Sequence, residues 1–145
     1  MTKIVYNACY GGFGLSRKAI ERYFELSGQK VWIEPNDKIP ELLDTFWLVP
    51  PEDRVKPLPG YWGDNPMEDR IRYNEEYSKQ VWNYYNLDRD DPILVQVVEE
   101  LGKEANARAA DLKIRELPKG TIYRIDEYDG NESIVTQDEY EWSVA

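Results

Sequence analysis

The chain has no histidine and a single cysteine, Cys9, among its 145 residues. The absence of histidine excludes Ser–His and Cys–His catalytic arrangements and histidine-containing zinc sites. One cysteine cannot form an intrachain disulfide, which fits a reducing compartment. Because no histidine is present to activate the thiol, we expect Cys9 to be a small apolar residue. The sequence predicts no catalytic residue, no metal site and no cofactor.

Long apolar runs and positive charge are also scarce. No segment approaches the roughly 20 apolar residues of a membrane span, and the N-terminus lacks the pattern of a signal peptide. Lys and Arg number 18 against 28 Asp and Glu, so the formal net charge is -10. We therefore predict a cytoplasmic protein that binds neither a membrane nor extended nucleic acid, because phosphate neutralisation needs clustered basic residues. The acidity is explained by solubility, and the alternative is an acidic surface that binds a basic partner or mimics nucleic acid.

The residue pattern predicts one α+β domain over residues 1–145. A first helix begins after Ser16, a good N-cap, and ends at Gly28. A second helix follows Asp91 and Pro92 and carries an apolar stripe as far as Ala105. The expected strands are Lys3–Cys9, Lys30–Pro35, Gln80–Leu87, Leu112–Leu117, Thr121–Tyr128 and Glu132–Gln137. This order predicts a mixed β-sheet with two main helices packed on it and a C-terminal β-meander.

Proline marks the middle of the chain, since residues 35–66 hold seven of the nine prolines. The same stretch contains aromatic residues, which argue against disorder. We predict an ordered insertion over residues 35–79, serving as a lid or an interface element. A short helical turn is expected at 40–46, and a polar helix is expected to begin at Asn65 and Pro66.

The one chemically distinctive segment is the glycine-rich loop Tyr10–Ser16, which joins the first strand to the first helix. Its glycines permit positive φ and close approach of a ligand. The helix N-terminus offers free amides to an anion, and Arg17 adds positive charge. The spacing matches neither the Walker A motif nor the dinucleotide fingerprint, so a tight turn that needs glycine is an equal alternative. Tyr10 and Phe13 either stack on a flat ligand or close the core.

A second constellation is the segment Asp88-Arg89-Asp90-Asp91. Arg89 is either a member of a structural ion pair or a clamp for a phosphate, and Asp91 is expected to be a helix cap. If both loops follow strand ends, this segment faces the glycine-rich loop. The acidic run 126–129 is typical of a hairpin turn, and the alternative is a binding site for Mg²⁺ or Ca²⁺. The predicted ligand-binding residues are Asn7, Tyr10, Gly11, Gly12, Phe13, Gly14, Ser16, Arg17, Asp88 and Arg89.

Three stretches resemble a family of small uncharacterised bacteriophage and prophage proteins. The first is Asn7 to Ser16, with its Asn-x-Cys-Tyr-Gly-Gly-Phe-x-Leu-Ser pattern. The second runs from Leu87 to Gly102, and the third from Leu112 to Gly130. Together they cover roughly residues 3–28 and 86–136. The resemblance implies no activity. It implies a phage-encoded protein in a bacterial cytoplasm, where small phage proteins often counter host defence.

Three functions remain open. The first is a protein that binds a phosphate-bearing or nucleotide ligand without turning it over, which would sequester a host-defence signal. The alternative is an acidic inhibitor or nucleic-acid mimic that acts on a host protein. The third is a metal-dependent hydrolase, in which carboxylates replace the missing histidine. The sequence favours binding over catalysis and leaves self-association open.

Overall fold

The computed structural model describes residues 1–36, 44–139 and 145. It confirms the predicted α+β fold. Two compact units are present, which we call the terminal unit (residues 1–28 and 84–145) and the central unit (residues 29–83). The single-domain organisation stays a prediction. Nowhere in the described ranges does a helix have the length and apolar composition needed to cross a membrane.

The terminal unit contains two antiparallel strand pairs. Strand β1 (Thr2–Asn7) pairs with β5 (Leu112–Leu117), and β6 (Tyr123–Tyr128) pairs with β7 (Asn131–Thr136). The three predicted C-terminal strands therefore form close to their expected bounds. They do not form the predicted β-meander, because the first pairs with β1 while the other two form a hairpin whose β7 strand lies beside β1. The hairpin turn has positive φ at both Asp129 and Gly130, as a primed turn requires.

Two helices complete the core of this unit. Helix α1 (Arg17–Ser27) begins at Ser16, whose hydroxyl accepts the amide of Ala19, and ends at Gly28 in the left-handed conformation. Helix α3 (Pro92–Leu101) begins at Asp91, as predicted. The helices pack against each other and bury the apolar stripes Ala19, Ile20, Tyr23 and Phe24 on α1 and Leu94, Val95, Val97 and Val98 on α3.

The predicted second helix was too long. Helix α3 ends at Leu101 because Gly102 has a φ of 56°, and Ala105 lies in the 3₁₀ turn Gly102–Ala105 that follows. Gly102 therefore terminates the helix, and it does not weaken the interior of a longer one.

In its described residues, the central unit has a three-stranded antiparallel sheet, one α-helix and two 3₁₀ turns. Its strands are β2 (Trp32–Glu34), β3 (Thr45–Trp47) and β4 (Val81–Trp82), in the order β2-β3-β4, and helix α2 spans Met67–Gln80. The unit is wider than the predicted insertion because β2 and β4 both pair with β3. Residues 37–43 lie outside the described chain, and with them most of the helical turn predicted at 40–46; its last two residues belong to β3.

Two further predictions for this region were wrong in detail. The expected strand Gln80–Leu87 is limited to the two residues of β4, and a 3₁₀ turn follows at Tyr84–Asn86. Helix α2 begins after Pro66, which occupies the cap position. The Asn65 amide does not cap the helix, because it donates to the carbonyls of Pro59, Tyr61 and Trp62.

Candidate functional site

The glycine-rich loop, the segment before α3 and the end of the β6–β7 hairpin meet at one buried ion pair. The Arg89 guanidinium donates from Nη1 to Oε1 of Glu132 at 2.6 Å and from Nη2 to Oε2 at 2.8 Å. The side chains are 17% and 7% exposed. A two-pronged, charge-assisted contact of this kind is both strong and directional. Because the Val5 amide donates to the Arg89 carbonyl at 2.8 Å, the segment is also tied to β1.

Phe13 lies under this ion pair. The Arg89 Cζ atom is 3.6 Å from the centroid of the Phe13 ring, a distance that allows a cation–π contact. The ring is buried, and the Tyr84 ring lies 5.9 Å away on centroids. Phe13 therefore closes the core and supports Arg89.

Asn7 connects the loop to the hairpin. Its backbone amide donates to Glu132 Oε1 at 2.8 Å, and its Nδ2 donates to the carbonyls of Cys9 and Gly130, each at 2.8 Å. Its Oδ1 accepts the amide of Asp111 at 2.8 Å. The residue is fully buried. Since both ends of its side-chain amide are occupied within the chain, Asn7 holds the loop in place.

The glycines of the loop are explained by close packing of backbone. A Cβ atom at Gly11 would lie 1.7 Å from the Ala109 carbonyl oxygen. At Gly14 a Cβ would lie 2.8 Å from the Ala107 Cβ, and Gly12 has a φ of 90°. On the hairpin, a Cβ at Gly130 would lie 2.6 Å from the Gly12 amide nitrogen. The chain's own segments therefore fill the space at Gly11, Gly14 and Gly130, whereas Gly12 is required by its positive φ and has open space beside it.

The cap residue of α1 is also bound to another segment of the chain. The Ser16 hydroxyl donates to the Glu104 carbonyl at 2.6 Å, and the Ser16 amide donates to Ala105 at 2.9 Å. Lys18 Nζ is 2.8 Å from the Glu104 carboxylate, and this hydrogen bond lowers the pKa of Glu104. Arg17 is half-buried and interacts within the fold.

The predicted ligand-binding residues Tyr10 and Asp88 are exposed, and they have exposed neighbours that were not predicted. Tyr10 in the loop is 65% exposed, Tyr85 in the 3₁₀ turn is 63% exposed, and Tyr128 at the hairpin end is 79% exposed. Exposed carboxylates stand on the same segments, at Asp88, Asp90, Glu127 and Asp129. We call these seven residues the tyrosine face.

The pKa of two half-buried tyrosines reflects these surroundings. Burial, followed by a hydrogen bond with Tyr85, raises the pKa of Tyr84 to about 12. Burial also raises the pKa of Tyr123 on β6, and the charges of Asp90 and Asp88 add to this increase. The carboxylates of Asp88 and Asp90 therefore influence the pKa of a tyrosine on β6, the strand that ends at Tyr128.

The arrangement determines what chemistry is available. An anion that reached Arg89 would have to displace Glu132, which leaves no open phosphate clamp in this conformation. In the part of the chain that the structure describes, no three acidic or cysteine side chains are grouped to hold a metal ion, and Asp126 pairs with Arg124 at 2.8 Å. A depression of about 320 Å³ lies on the outer side of α3, where Glu99 and Glu100 are already paired with Lys3 and Arg22.

The structure brings together Asn7, Phe13 and Arg89 from the predicted site, and it adds Glu132, which the sequence analysis omitted. A signal was present, because Glu132 alternates with Ile134 and Thr136 and all three are buried on β7. An acidic residue at an inward position of a strand requires a buried partner. No protein family model, curated protein or solved structure matches the chain.

Proposed function

We propose that this chain is a non-catalytic binding protein that docks a basic partner protein on its tyrosine face. One observation carries the proposal. Three exposed tyrosines lie on or next to the segments that meet at the buried Arg89–Glu132 pair: Tyr10 in the loop, Tyr128 at the hairpin end, and Tyr85 in the 3₁₀ turn that precedes the Arg89 segment. Tyrosine supplies large contact area with a polar end and few rotatable bonds, which suits an interface anchor.

Charge complementarity supports a basic partner. Asp88, Asp90, Glu127 and Asp129 are exposed on the face, whereas the cation at its base, Arg89, is neutralised by Glu132. The negative charge of the tyrosine face repels acidic proteins, and it accelerates association with a positively charged surface. Because the ion pair and the Asn7 hydrogen bonds already fix the segments, little ordering entropy is lost on binding.

The other predicted functions place different demands on the site. The nucleotide-ligand function stays a prediction, and at Arg89 it requires the ion pair to open. The hydrolase function requires carboxylates to gather around a metal ion. The cytoplasmic location, the phage origin and the role against host defence stay predictions, and they make a bacterial lysate the natural source of a partner.

The test is affinity capture with the tagged full chain at low and high salt. The wild type is compared with a Tyr10→Ser/Tyr128→Ser variant and a Asp88→Asn/Asp90→Asn variant. Tyr61→Ser is the matched control, because Tyr61 is equally exposed but belongs to the central unit. We expect a basic protein that both variants lose and the control retains, and the purified protein should then bind the wild type at least ~10-fold more tightly.

Capture that is independent of these substitutions would contradict the proposal. So would a captured set that contains no basic protein. If instead a nucleotide stabilises the chain and Arg89→Gln abolishes that effect, the ligand-binding function would replace it.

A further inference from the structure

Helix α2 presents an outward side that the central unit does not cover. No residue of α2 is buried, whereas α1 and α3 each bury four residues. Its inward side is only half-buried and carries Asp69, Arg70, Tyr73, Tyr77 and Gln80. A helix in water ordinarily owes its stability to the packing of an apolar face. The outward side of α2 is therefore available to a partner.

One row on this outward side carries no charge. Residues three or four positions apart lie side by side on a helix, and this spacing gives the row Met67, Ile71, Asn74 and Ser78. Met67 is 60% exposed and Ile71 is 50% exposed, and the two polar residues are exposed as well. This row, which we call the neutral row, holds two large apolar side chains together in water.

A second row runs beside the neutral row, and its charges alternate in sign. We call it the charged row, and it consists of the exposed residues Glu68, Arg72, Glu75 and Lys79. Its charges sum to zero, although the chain as a whole has a net charge of -10.

The ion pairs that the charged row makes within its own helix are weak. Arg72 lies 3.7 Å from Asp69 and is 72% exposed, and Lys79 lies 3.7 Å from Glu76 and is 73% exposed. Exposed pairs of this kind contribute little to stability. These long side chains can therefore turn toward a partner at little cost.

The order of the charges matches a second copy of α2 that runs in the opposite direction. When two copies of Met67–Gln80 overlap over their full length, Glu68 lies opposite Lys79 and Arg72 lies opposite Glu75. Every position of the charged row then faces the opposite sign, whereas parallel copies would place each charge against itself. A slide of one helical turn would bring Glu68 opposite Glu75, so the charges also select the register.

The neutral rows meet in the same arrangement. Ile71 of each copy lies beside Asn74 of the other, and Met67 lies beside Ser78, so no charge faces the apolar side chains. Removal of apolar surface from water then favours association.

We propose that α2 is the interface of a symmetric homodimer, in which two copies of the helix pack antiparallel through the neutral and charged rows. Each contact occurs twice, because a two-fold interface pairs the same patch with itself. The proposal does not depend on the tyrosine face, whose residues all belong to the terminal unit.

The experiment measures the mass of the full chain by analytical ultracentrifugation up to millimolar concentration. We expect a reversible dimer. Ile71→Asp should weaken it at least ~10-fold, because a charge enters the interface at two equivalent positions. Ile122→Asp is the matched control and should leave the dimer unchanged, because Ile122 is 66% exposed but belongs to the terminal unit.

Two charge variants test the charged row directly. Glu68→Lys/Glu75→Lys makes the row entirely positive, and Arg72→Glu/Lys79→Glu makes it entirely negative. Each variant alone should stay monomeric, and an equimolar mixture should form a heterodimer. Recovery of the dimer on mixing would show that the helices are still folded, and circular dichroism checks each variant.

A wild-type chain that is monomeric at millimolar concentration would overturn the proposal. So would a dimer that Ile71→Asp and Ile122→Asp weaken equally. A mixture of the two folded charge variants that stays monomeric would overturn it too.

Discussion

Removal of the Glu132 carboxylate is the sharpest perturbation of the junction. In Glu132→Ala the guanidinium of Arg89 keeps its charge in a largely buried position, and the amide of Asn7 loses its acceptor. Breaking a buried pair from one side costs about 3–5 kcal/mol of unfolding free energy. The cost arises because the remaining charge is neither hydrated nor paired.

Replacing both Arg89 and Glu132 by apolar residues removes the two charges while side chains still fill the space. Arg89→Met combined with Glu132→Leu leaves no unpaired charge, so the orphaned Asn7 amide should dominate and the loss should be about 1–3 kcal/mol. The double variant is therefore expected to be more stable than Glu132→Ala alone. Glu99→Ala is the control, because its pair with Lys3 is exposed and should contribute less than about 1 kcal/mol.

The assay is urea unfolding followed by far-ultraviolet circular dichroism, with hydrogen exchange of the Asn7 amide. Circular dichroism is preferred to tryptophan fluorescence, because four of the five tryptophans belong to the central unit. Exchange at Asn7 should accelerate in both Glu132 variants and stay unchanged in the control. A loss below about 1 kcal/mol for Glu132→Ala, the range of surface pairs, would refute the account of a buried junction.

Two more predictions concern the packing of the terminal unit. Gly130→Ala should lower the unfolding free energy by at least ~1 kcal/mol more than Gly120→Ala in urea melts, since both have positive φ but only the Cβ at 130 would meet the Gly12 backbone. Burial, and then a hydrogen bond to Asp91, raises the pKa of Tyr23 to about 12, so the unfolded chain loses this proton first and stability should fall between pH 10 and 12. Tyr23→Phe should flatten that fall in alkaline urea titrations, and an unchanged slope would contradict the assignment.

The features that were predictable from the sequence are local ones. The capping residues act within one turn of their own helix, so their residue types alone predict where α1 and α3 begin and where α1 ends. They are Ser16, Gly28, Asp91 and Pro92. The Asp-Gly turn is equally local. Gly102 was misjudged because its neighbours continue an apolar stripe, although its positive φ ends the helix.

The missed features depend on distant partners. The strand predicted at Gln80–Leu87 has the right composition, but β3 offers only a short edge, and the ladder with β4 is limited to two residue pairs. Arg89 and Glu132 are 43 residues apart. The sequence left open whether Arg89 meets a carboxylate or a phosphate, and the position of β7 beside β1 brings Glu132 to it.

The central claim is that the glycine-rich loop is a packed junction filled by the chain's own backbone. The most direct measurement is an NMR titration of the ¹⁵N-labelled full chain with inorganic phosphate and AMP. The account predicts that the amides of Gly11, Gly12 and Gly14 do not move at saturating ligand. Saturable shifts of these amides together with the Arg89 side-chain signal would show that the ion pair opens to an anion, and would contradict it.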